Sequence, residues 1–535
     1  MKRFLIYVFG IVSIIAISSC GKETEFFSDP YEEGKPALGI VFDRTLKPNP
    51  EIGTPGGQVV FKIKGLAQFK DKAIFNFNGE SAEILNVTDE EVTVKVPDFA
   101  STGNTSIYID DIIVYGPKFT VQGKVKIDPT WQGFYGTNGS MIDLISTPDE
   151  KHIFVGNFTD YERKGQVKPI NRLVRTFSNG AYDASWRQGE GANGGINDII
   201  QIQNHYYIAG GFSGYDQRKD HISNLTRIFL TGKIDTMGIK PFRRPDQTDT
   251  LKYYPTFNGG FENAVGNIYE HNGKIIATGN FRYYIKRIFG KPNFMETKDS
   301  VILDSTEIRQ VARLNLDGTL DKTYRFNGNT PFQGGNGRVN SFMHESGPLK
   351  GKLVVYGTFN RFDNQAVGYI LRLNENGTID PTFNPSGVGA NHYVNSVTYN
   401  DVTGKYVLNG SFTSYNGVAS NKMVLLNSDG TVDNNFKVKS FGVGYPDYSK
   451  QLDDGIIIVS GWFVEYNGVA RKQFLIMDAK GDLMPGMNSI GSINGTFRKV
   501  IETKSEDGKR ALILMGDFNR IDDISIQNIV RVIIE

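Results

Sequence analysis

The stretch that decides the fold is Lys352-Leu-Val-Val-Tyr-Gly-Thr-Phe359 followed by Ile370-Leu-Arg-Leu-Asn-Glu-Asn-Gly-Thr-Ile-Asp-Pro-Thr-Phe383. Its first half is a short apolar run closed by Gly-x-Phe, which predicts a buried strand. Its second half is another strand, then Asn-Gly, a hairpin signal, then a short strand ending in Asp-x-x-Phe. Gly-x-Phe recurs at Gly156-Asn-Phe158, Gly210-Gly-Phe212, Gly279-Asn-Phe281, Gly410-Ser-Phe412, Gly461-Trp-Phe463 and Gly516-Asp-Phe518. The spacing settles near roughly fifty residues, suited to one four-stranded blade per repeat. The Asp of the last strand recurs at Asp128, Asp183, Asp235, Asp321, Asp380, Asp433 and Asp482, offset by one against the Gly-x-Phe series. The repeat region therefore opens on a final strand with no blade before it, Ile127-Asp-Pro-Thr-Trp131. It closes on Ile529-Val-Arg-Val-Ile-Ile-Glu535, a blade lacking its final strand. The start completes the end, as a ring needs if it is to hide its sheet edges. We expect seven blades over 123–535.

The blades ending at Tyr324, Phe383 and Phe436 resemble the delta-60-type propeller repeat, a hydrophobic strand through Gly-Gly-x-Phe to Ile-x-Arg-Leu-Asn-x-Asp-Gly-x-x-Asp-x-x-Phe. Blades two and six end Asp235-Thr-Met-Gly238 and Asp482-Leu-Met-Pro485 without the aromatic, so irregular outer strands are expected there. Upstream, 36–122 alternates apolar and polar residues in short runs, as in Gly57-Gln-Val-Val-Phe-Lys-Ile-Lys-Gly65 and Glu91-Val-Thr-Val-Lys-Val-Pro97. With Pro55-Gly-Gly, Phe75-Asn-Phe-Asn-Gly79 and Gly116-Pro-Lys-Phe119, this segment resembles the immunoglobulin-like IPT/TIG domain, which implies a β-sandwich spacer and no chemistry. The expected fold class is all-β, a sandwich followed by a seven-bladed β-propeller. The composition agrees: 60 Gly, 36 Phe and 25 Tyr among 535 residues suit many short strands and turns.

At the N-terminus, Lys2 and Arg3 precede an apolar stretch from Phe4 to Ile17, too short to span a membrane. It ends Ile17-Ser-Ser-Cys20, which resembles a bacterial lipobox. We expect a signal peptide over 1–19, lipidation of Cys20 and a polar tether over 20–35. Cys20 is the only cysteine, so no disulfide staples the fold. The acidic residues behind it resemble the surface-export signal of Bacteroidota lipoproteins, implying an outer-membrane protein facing the exterior, with the periplasmic face as the alternative. The combined architecture resembles outer-membrane lipoproteins that accompany TonB-dependent nutrient importers and their partner lipoproteins.

Net charge is +1, with 59 Lys and Arg against 58 Asp and Glu and no long run of one sign, which argues against a nucleic-acid partner. The six His, at 152, 205, 221, 271, 344 and 392, form no metal spacing, and no Gly-x-Ser-x-Gly or phosphate loop is present. No cofactor or metal is expected, and the chain reads as a binding protein rather than an enzyme. A carboxylate pair assembled by the fold would leave room for a glycan-active enzyme. The repeated Asn-x-Asp-Gly-Thr reads as turn chemistry, since it lacks the bidentate Glu of a calcium loop. Arg175, Arg227, Arg313, Arg372 and Arg531 share one repeat position, and the nearby repeated Asp is the expected partner. Trp131 and Trp186 stand where other blades have Phe and are expected in the core, whereas the sequence leaves open whether Trp462 is exposed or packed between blades.

Two insertions break the repeat. Ile239 to Glu262 carries Arg243, Arg244, Tyr253, Tyr254 and Phe257; Arg282 to Ile308 carries Tyr283, Tyr284, Arg287, Phe289 and Phe294. In an up-and-down blade both connections emerge on one face, so the insertions are expected to converge as a Tyr-rich, locally basic patch. That patch would hold a glycan, a peptide or an importer subunit, or else only bury its own aromatics. The first expectation is an accessory binding lipoprotein; the alternatives are a scaffold in an outer-membrane complex and a glycan-active enzyme.

Overall fold

The computed structural model describes residues 38–216, 218, 220–242, 251–296, 298–385 and 387–535. The expected signal peptide, Cys20 and the tether lie outside these residues. Among the described residues the chain is all-β, with two short 3-10 turns and no α-helix.

Residues 38–121 form eight strands in one hydrogen-bonded path. Alternation drives it: Gln58–Lys64 buries Val59, Phe61 and Ile63 and leaves the intervening residues outward. Glu80–Val87 pairs with Ile74–Phe77 through its first half and with Glu91–Lys95 through its second, so a single strand joins the two halves of the path. Phe42, Phe61, Phe75, Phe77 and Phe119 fill the interior.

Among the described residues, seven antiparallel sheets of three or more strands follow, beside six two-stranded hairpins. The first strands of the seven sheets are Met141–Ser146, Gly195–Ile202, Val265–His271, Val339–Met343, Val394–Asn400, Gly444–Gln451 and Ile493–Lys504. Each first strand lies against that of the next sheet, and the seventh returns to the first, so the sheets form a ring. Val125–Ile127 pairs with Ile529–Ile534, completing the seventh sheet with the start of the repeat region. In the other six sheets the expected fourth strand shrinks to a single bridge, such as Leu373 with Ile379 or Leu426 with Val432. The strand is clipped at both ends: the Asn374–Thr378 hairpin turn precedes it, with Gly377 N–H donating to the Asn374 carbonyl at 2.8 Å, and just after it Asp380 Oδ1 accepts from Thr382 N–H at 2.9 Å and its hydroxyl at 2.7 Å. The seventh sheet makes the same turn at Asp128 but has no hairpin before its strand. Sheet two departs further, as Thr236–Ile239 pairs away from the sheet with Lys252–Pro255.

Gly-x-Phe is explained by close approach. A Cβ on Gly156 would lie 2.1 Å from the Ser140 carbonyl oxygen, and one on Gly516 2.2 Å from that of Thr496. The Phe then buries completely between sheets. Each repeated Arg donates Nε to the repeated Asp: Arg175 to Asp183 at 2.8 Å, Arg227 to Asp235 at 2.6 Å, Arg313 to Asp321 at 2.8 Å, Arg372 to Asp380 at 2.7 Å and Arg531 to Asp128 at 2.5 Å. The guanidinium does not grip the carboxylate with both arms. In Arg372, Nη2 reaches the Thr382 hydroxyl at 3.2 Å and Nη1 reaches the Ser428 carbonyl of the next sheet at 2.7 Å. Arg531 likewise spans to Ser178 at 2.8 Å. The Asp also takes a lysine from the start of the second strand, as Lys352 to Asp380 at 2.6 Å and Lys405 to Asp433 at 2.8 Å. These lysines precede the apolar run in the sequence, and their shared role emerges only from the fold.

The pairs make the protein acid-sensitive. Burial opposes ionisation of Asp183, Asp321 and Asp380, but the hydroxyl and N–H donors and the paired cations outweigh it and hold all three below 3.8, Asp183 at about 2. Burial, then the charges of Arg531 and Arg372, bring His152 and His344 down to about 4. Both classes act in one direction: the unfolded chain binds more protons, so stability present above about pH 6.5 declines as the histidines and then the carboxylates titrate. The unfolding free energy from urea titrations should fall between about pH 7.5 and 3, by a few kcal/mol in total, with the raised Asp198 carboxyl offsetting part of the loss.

Candidate functional site

The insertions build on features that recur around the ring. In sheets four to seven, Gly-x-Phe is followed by a two-residue hairpin such as Arg361–Phe362 with Gln365–Ala366. In sheet three that hairpin grows into the long ladder Tyr283–Pro292 with Asp299–Glu307. Beside it stands the Thr236–Ile239 and Lys252–Pro255 hairpin, and the two interlock. Lys252 pairs with Asp299 at 2.6 Å, and Asn258 exchanges two hydrogen bonds with the Arg287 backbone at 2.6 and 2.9 Å. The Tyr254 ring stacks on Phe289 with centroids 4.0 Å apart, and His221 packs edge-on to both.

Six residues anticipated as binding groups divide by burial. Tyr253 is 51% exposed, Tyr283 38% exposed and Phe294 fully exposed, so these three present side chains to solvent. Tyr254 and Phe289 are half-buried against each other, and Arg287 is tucked in, donating to the Ser223 hydroxyl at 2.5 Å. Burial lowers the pKa of that guanidinium. Arg243 and Arg244 lie outside the described residues.

Phe257 and Tyr284 need correction, since both are buried in the core of sheets two and three and offer nothing to a ligand. Tyr284 belongs to the repeat itself. Its hydroxyl donates to the Gly318 carbonyl at 2.9 Å, as Tyr215 donates to Gly232 at 2.8 Å and Tyr466 to Gly481 at 2.7 Å. Each lies three residues beyond the Phe, so the motif extends to Gly-x-Phe-x-x-Tyr, and Tyr161 and Tyr415 fit it too. That longer period was the signal that separates Tyr284 from Tyr283. Several exposed residues on the hairpins were not anticipated, Phe242, Ile302 and Leu303, and Trp462 elsewhere on the ring, which the sequence left open, is exposed.

A carboxylate pair does assemble near the ring axis, where Asp143 and Asp198 meet beside Lys499. Both Asp198 oxygens accept backbone amides, from Ile199 and from Ile268 of the next sheet, each at 2.7 Å. Asp143 pairs with Lys499. Burial, then the charge of Asp143, pushes the Asp198 carboxyl well up. These groups tie together the inner strand edges, which the sheets leave unpaired. Among the described residues no group of three or more His, Cys, Asp or Glu could hold a metal ion, and no helix is long and apolar enough to cross a membrane.

Comparison with known families places two segments. Residues 16–117 match a family model described as a domain of unknown function (DUF5008). Residues 351–383 and 403–436, in sheets four and five, match a β-propeller model described as a domain of unknown function (DUF5122). The chain thus pairs a DUF5008-like N-terminal segment with DUF5122-like propeller repeats. No curated protein matches the sequence. Similar solved structures include the WD40 β-propeller domain of Doa1, 13% identical over 77% of this chain and 96% of that one, TM-score 0.35. They also include auxiliary nutrient binding proteins from Bacteroides thetaiotaomicron VPI-5482 and Bacteroides ovatus ATCC 8483. The first is 10% identical over 93% of this chain and 98% of its own, TM-score 0.30. The second is 12% identical over 69% and 94%, TM-score 0.19.

Proposed function

We propose that the protein is a lipid-anchored accessory binding protein of the bacterial outer membrane, facing the exterior. In this reading Cys20 carries the lipid, 36–122 is an IPT/TIG-like sandwich, and 123–535 is a seven-bladed β-propeller. The propeller binds a nutrient polymer, a peptide or a subunit of a TonB-dependent importer, and performs no catalysis.

The observation that carries the reading is the paired hairpin surface of sheet three. It is the repeat's small hairpin enlarged, braced from beneath by the Tyr254–Phe289 stack and the Asn258 bonds, and topped by the exposed rings of Tyr253, Tyr283 and Phe294. Exposed aromatics on a rigid support present large contact area at little entropic cost. A scaffold role draws on the same interlock, which lends the hairpins internal packing of their own.

The decisive experiment is affinity purification of the full chain from detergent-solubilised membranes of its native cells. Recovery of an importer and its partner lipoprotein, lost on replacing Tyr253 and Tyr283 by Ala together, supports the reading; recovery unaffected by that double change favours the scaffold. The anchor is tested separately. Cys20→Ala should move the protein from the membrane fraction to the soluble fraction, and externally added protease should cleave the wild-type protein on intact cells.

A further inference from the structure

Trp462 occupies the middle of Gly461-Trp-Phe463, where the other sheets carry Asn157, Gly211, Asn280, Thr358, Ser411 and Asp517. Strand alternation sends Phe463 into the core and Trp462 the other way, leaving it 51% exposed, whereas Trp131 and Trp186 are buried. Directly opposite on the neighbouring strand is Tyr445, also exposed, with the Lys422 ammonium 5.6 Å from its ring centroid. An indole this open, at a repeat position otherwise held by small or polar residues, lies outside the buried clusters that pack between sheets.

Beside it lies a shallow concavity of about 380 Å³ that spans sheets six, seven and one, within the size range of small-molecule sites. Trp462 forms one wall. Asn494, Asn519, Asp517, Gln527, Asn528 and Ser140 supply the polar lining. Asn494 donates to the Asn519 side-chain oxygen at 2.7 Å, a bond that orients the two amides against each other and uses only part of their donor and acceptor capacity. The Asp517 carboxylate is held by Arg498 at 2.5 Å, so its charge is already compensated. The concavity opens at the start of the first strands and the end of the second strands, the same end of the sheets from which the sheet-three hairpins emerge.

These features select a ligand chemistry. A flat apolar indole face, bordered by planar amides with both donors and acceptors and without net charge, complements a pyranose ring, whose C–H face is apolar and whose hydroxyls project round its edge. An ionic ligand would find no uncompensated charge in this lining. We infer that Trp462 is the stacking platform of a subsite for a neutral sugar unit of a glycan. The inference rests on the reading above, that this face of the ring binds, and it selects the glycan among the ligands considered there.

The test uses the full chain in detergent with soluble amylopectin, galactomannan, xyloglucan and mixed-linkage β-glucan, and with polygalacturonate as a charged control. At least one neutral polysaccharide should retard the wild-type protein in native gels and shift its tryptophan emission, since Trp462 is the exposed indole. Trp462→Ala should weaken that binding about tenfold or more with unchanged thermal unfolding, and Trp462→Tyr should retain part of it. Binding of none of the neutral polysaccharides, binding of polygalacturonate alone, or equal binding by W462A would overturn the inference. Tyr253→Ala with Tyr283→Ala separates the two surfaces. If that pair abolishes glycan binding and W462A does not, the hairpin surface stands and the subsite falls; the reverse pattern leaves the subsite and removes the hairpins as the glycan surface.

Discussion

Replacing Arg531 with alanine is expected to destabilise the protein by about 3–5 kcal/mol, the range for removing one partner of a buried ion pair. Arg531 and Asp128 are both buried, 2% and 0% exposed at the side chain, so the orphaned carboxylate cannot be rescued by water. The guanidinium also holds the Thr130 hydroxyl at 3.0 Å and the Ser178 carbonyl at 2.8 Å, and lies over the Trp131 ring. All of these partners come from the start of the repeat region, while Arg531 comes from its end. Arg372 sits in an equally buried pair, but with Asp380 of its own sheet, and is the natural control. Both R531A and R372A should lower the urea midpoint. Only R531A should also accelerate hydrogen exchange in sheets one and seven together, because it loosens the join between the chain's two ends. Replacing both partners, as in R531M with D128N, should recover much of the loss, since the dominant penalty is the unpaired buried charge rather than the missing attraction. Equal exchange in R531A and R372A would show that the Val125–Ile127 strand closes the ring without help from this pair.

The ring was legible because its determinants are short and recur. Gly-x-Phe marks where backbone approaches backbone too closely for a Cβ, and the Arg and Asp that follow are bonded in every sheet where both occur. The offset between the Gly and Asp series pointed to the join at Val125–Ile127, since a strand shared by the two ends must shift one series by a place. The fourth strand was less legible. Its sequence alternates like a strand, yet it is held between the tight turn that precedes it, as at Asn374–Thr378, and the turn that Asp380 makes with the Thr382 amide and hydroxyl, which leaves no room for a ladder. Lysines 151, 274, 352 and 405 were invisible as a set because each looks like an ordinary solvated charge at a strand start. How the first unit sits on the ring was also beyond sequence: it packs on sheets six and seven through the Ser489 carbonyl to Thr102 N–H at 2.9 Å and Lys118 to Asp523 at 3.1 Å.

The two insertions meet, as their places in the repeat led us to expect, and of the two outcomes the sequence left open for their aromatics, exposed or buried on each other, the structure shows a mixture. Both Tyr-Tyr pairs lie on strands, where neighbours point to opposite sides. One ring of each pair therefore turns inward: Tyr254 against Phe289, and Tyr284 to the Gly318 carbonyl. Insertions carry no repeat of their own to assign the faces, so composition alone overcounted. Trp462 was undecided for the opposite reason, since its motif fixed the strand but the residue departs from the repeat.

That division yields the second large effect. Phe257→Ala is expected to cost about 3–5 kcal/mol, as for other fully buried aromatic truncations, whereas Tyr253→Ala and Tyr283→Ala together should change stability by less than about 1 kcal/mol. Phe257 is 3% exposed and packs edge-on against Tyr207, 5.7 Å between centroids, so its removal leaves a void lined by rigid strands that cannot collapse. Tyr284→Phe should fall between, near about 1 kcal/mol, because only the hydroxyl bond to Gly318 is lost. Urea denaturation of the three variants checks the ordering. Its use is to free the binding experiments from ambiguity: a loss of binding in F257A or Y284F reports on the fold of sheet three, whereas a loss in the Tyr253 and Tyr283 double variant, with its stability intact, reports on a surface that a partner touches. If the double variant instead unfolds as readily as F257A, the exposed rings are pinned by packing, and the hairpins are a structural brace rather than a docking face.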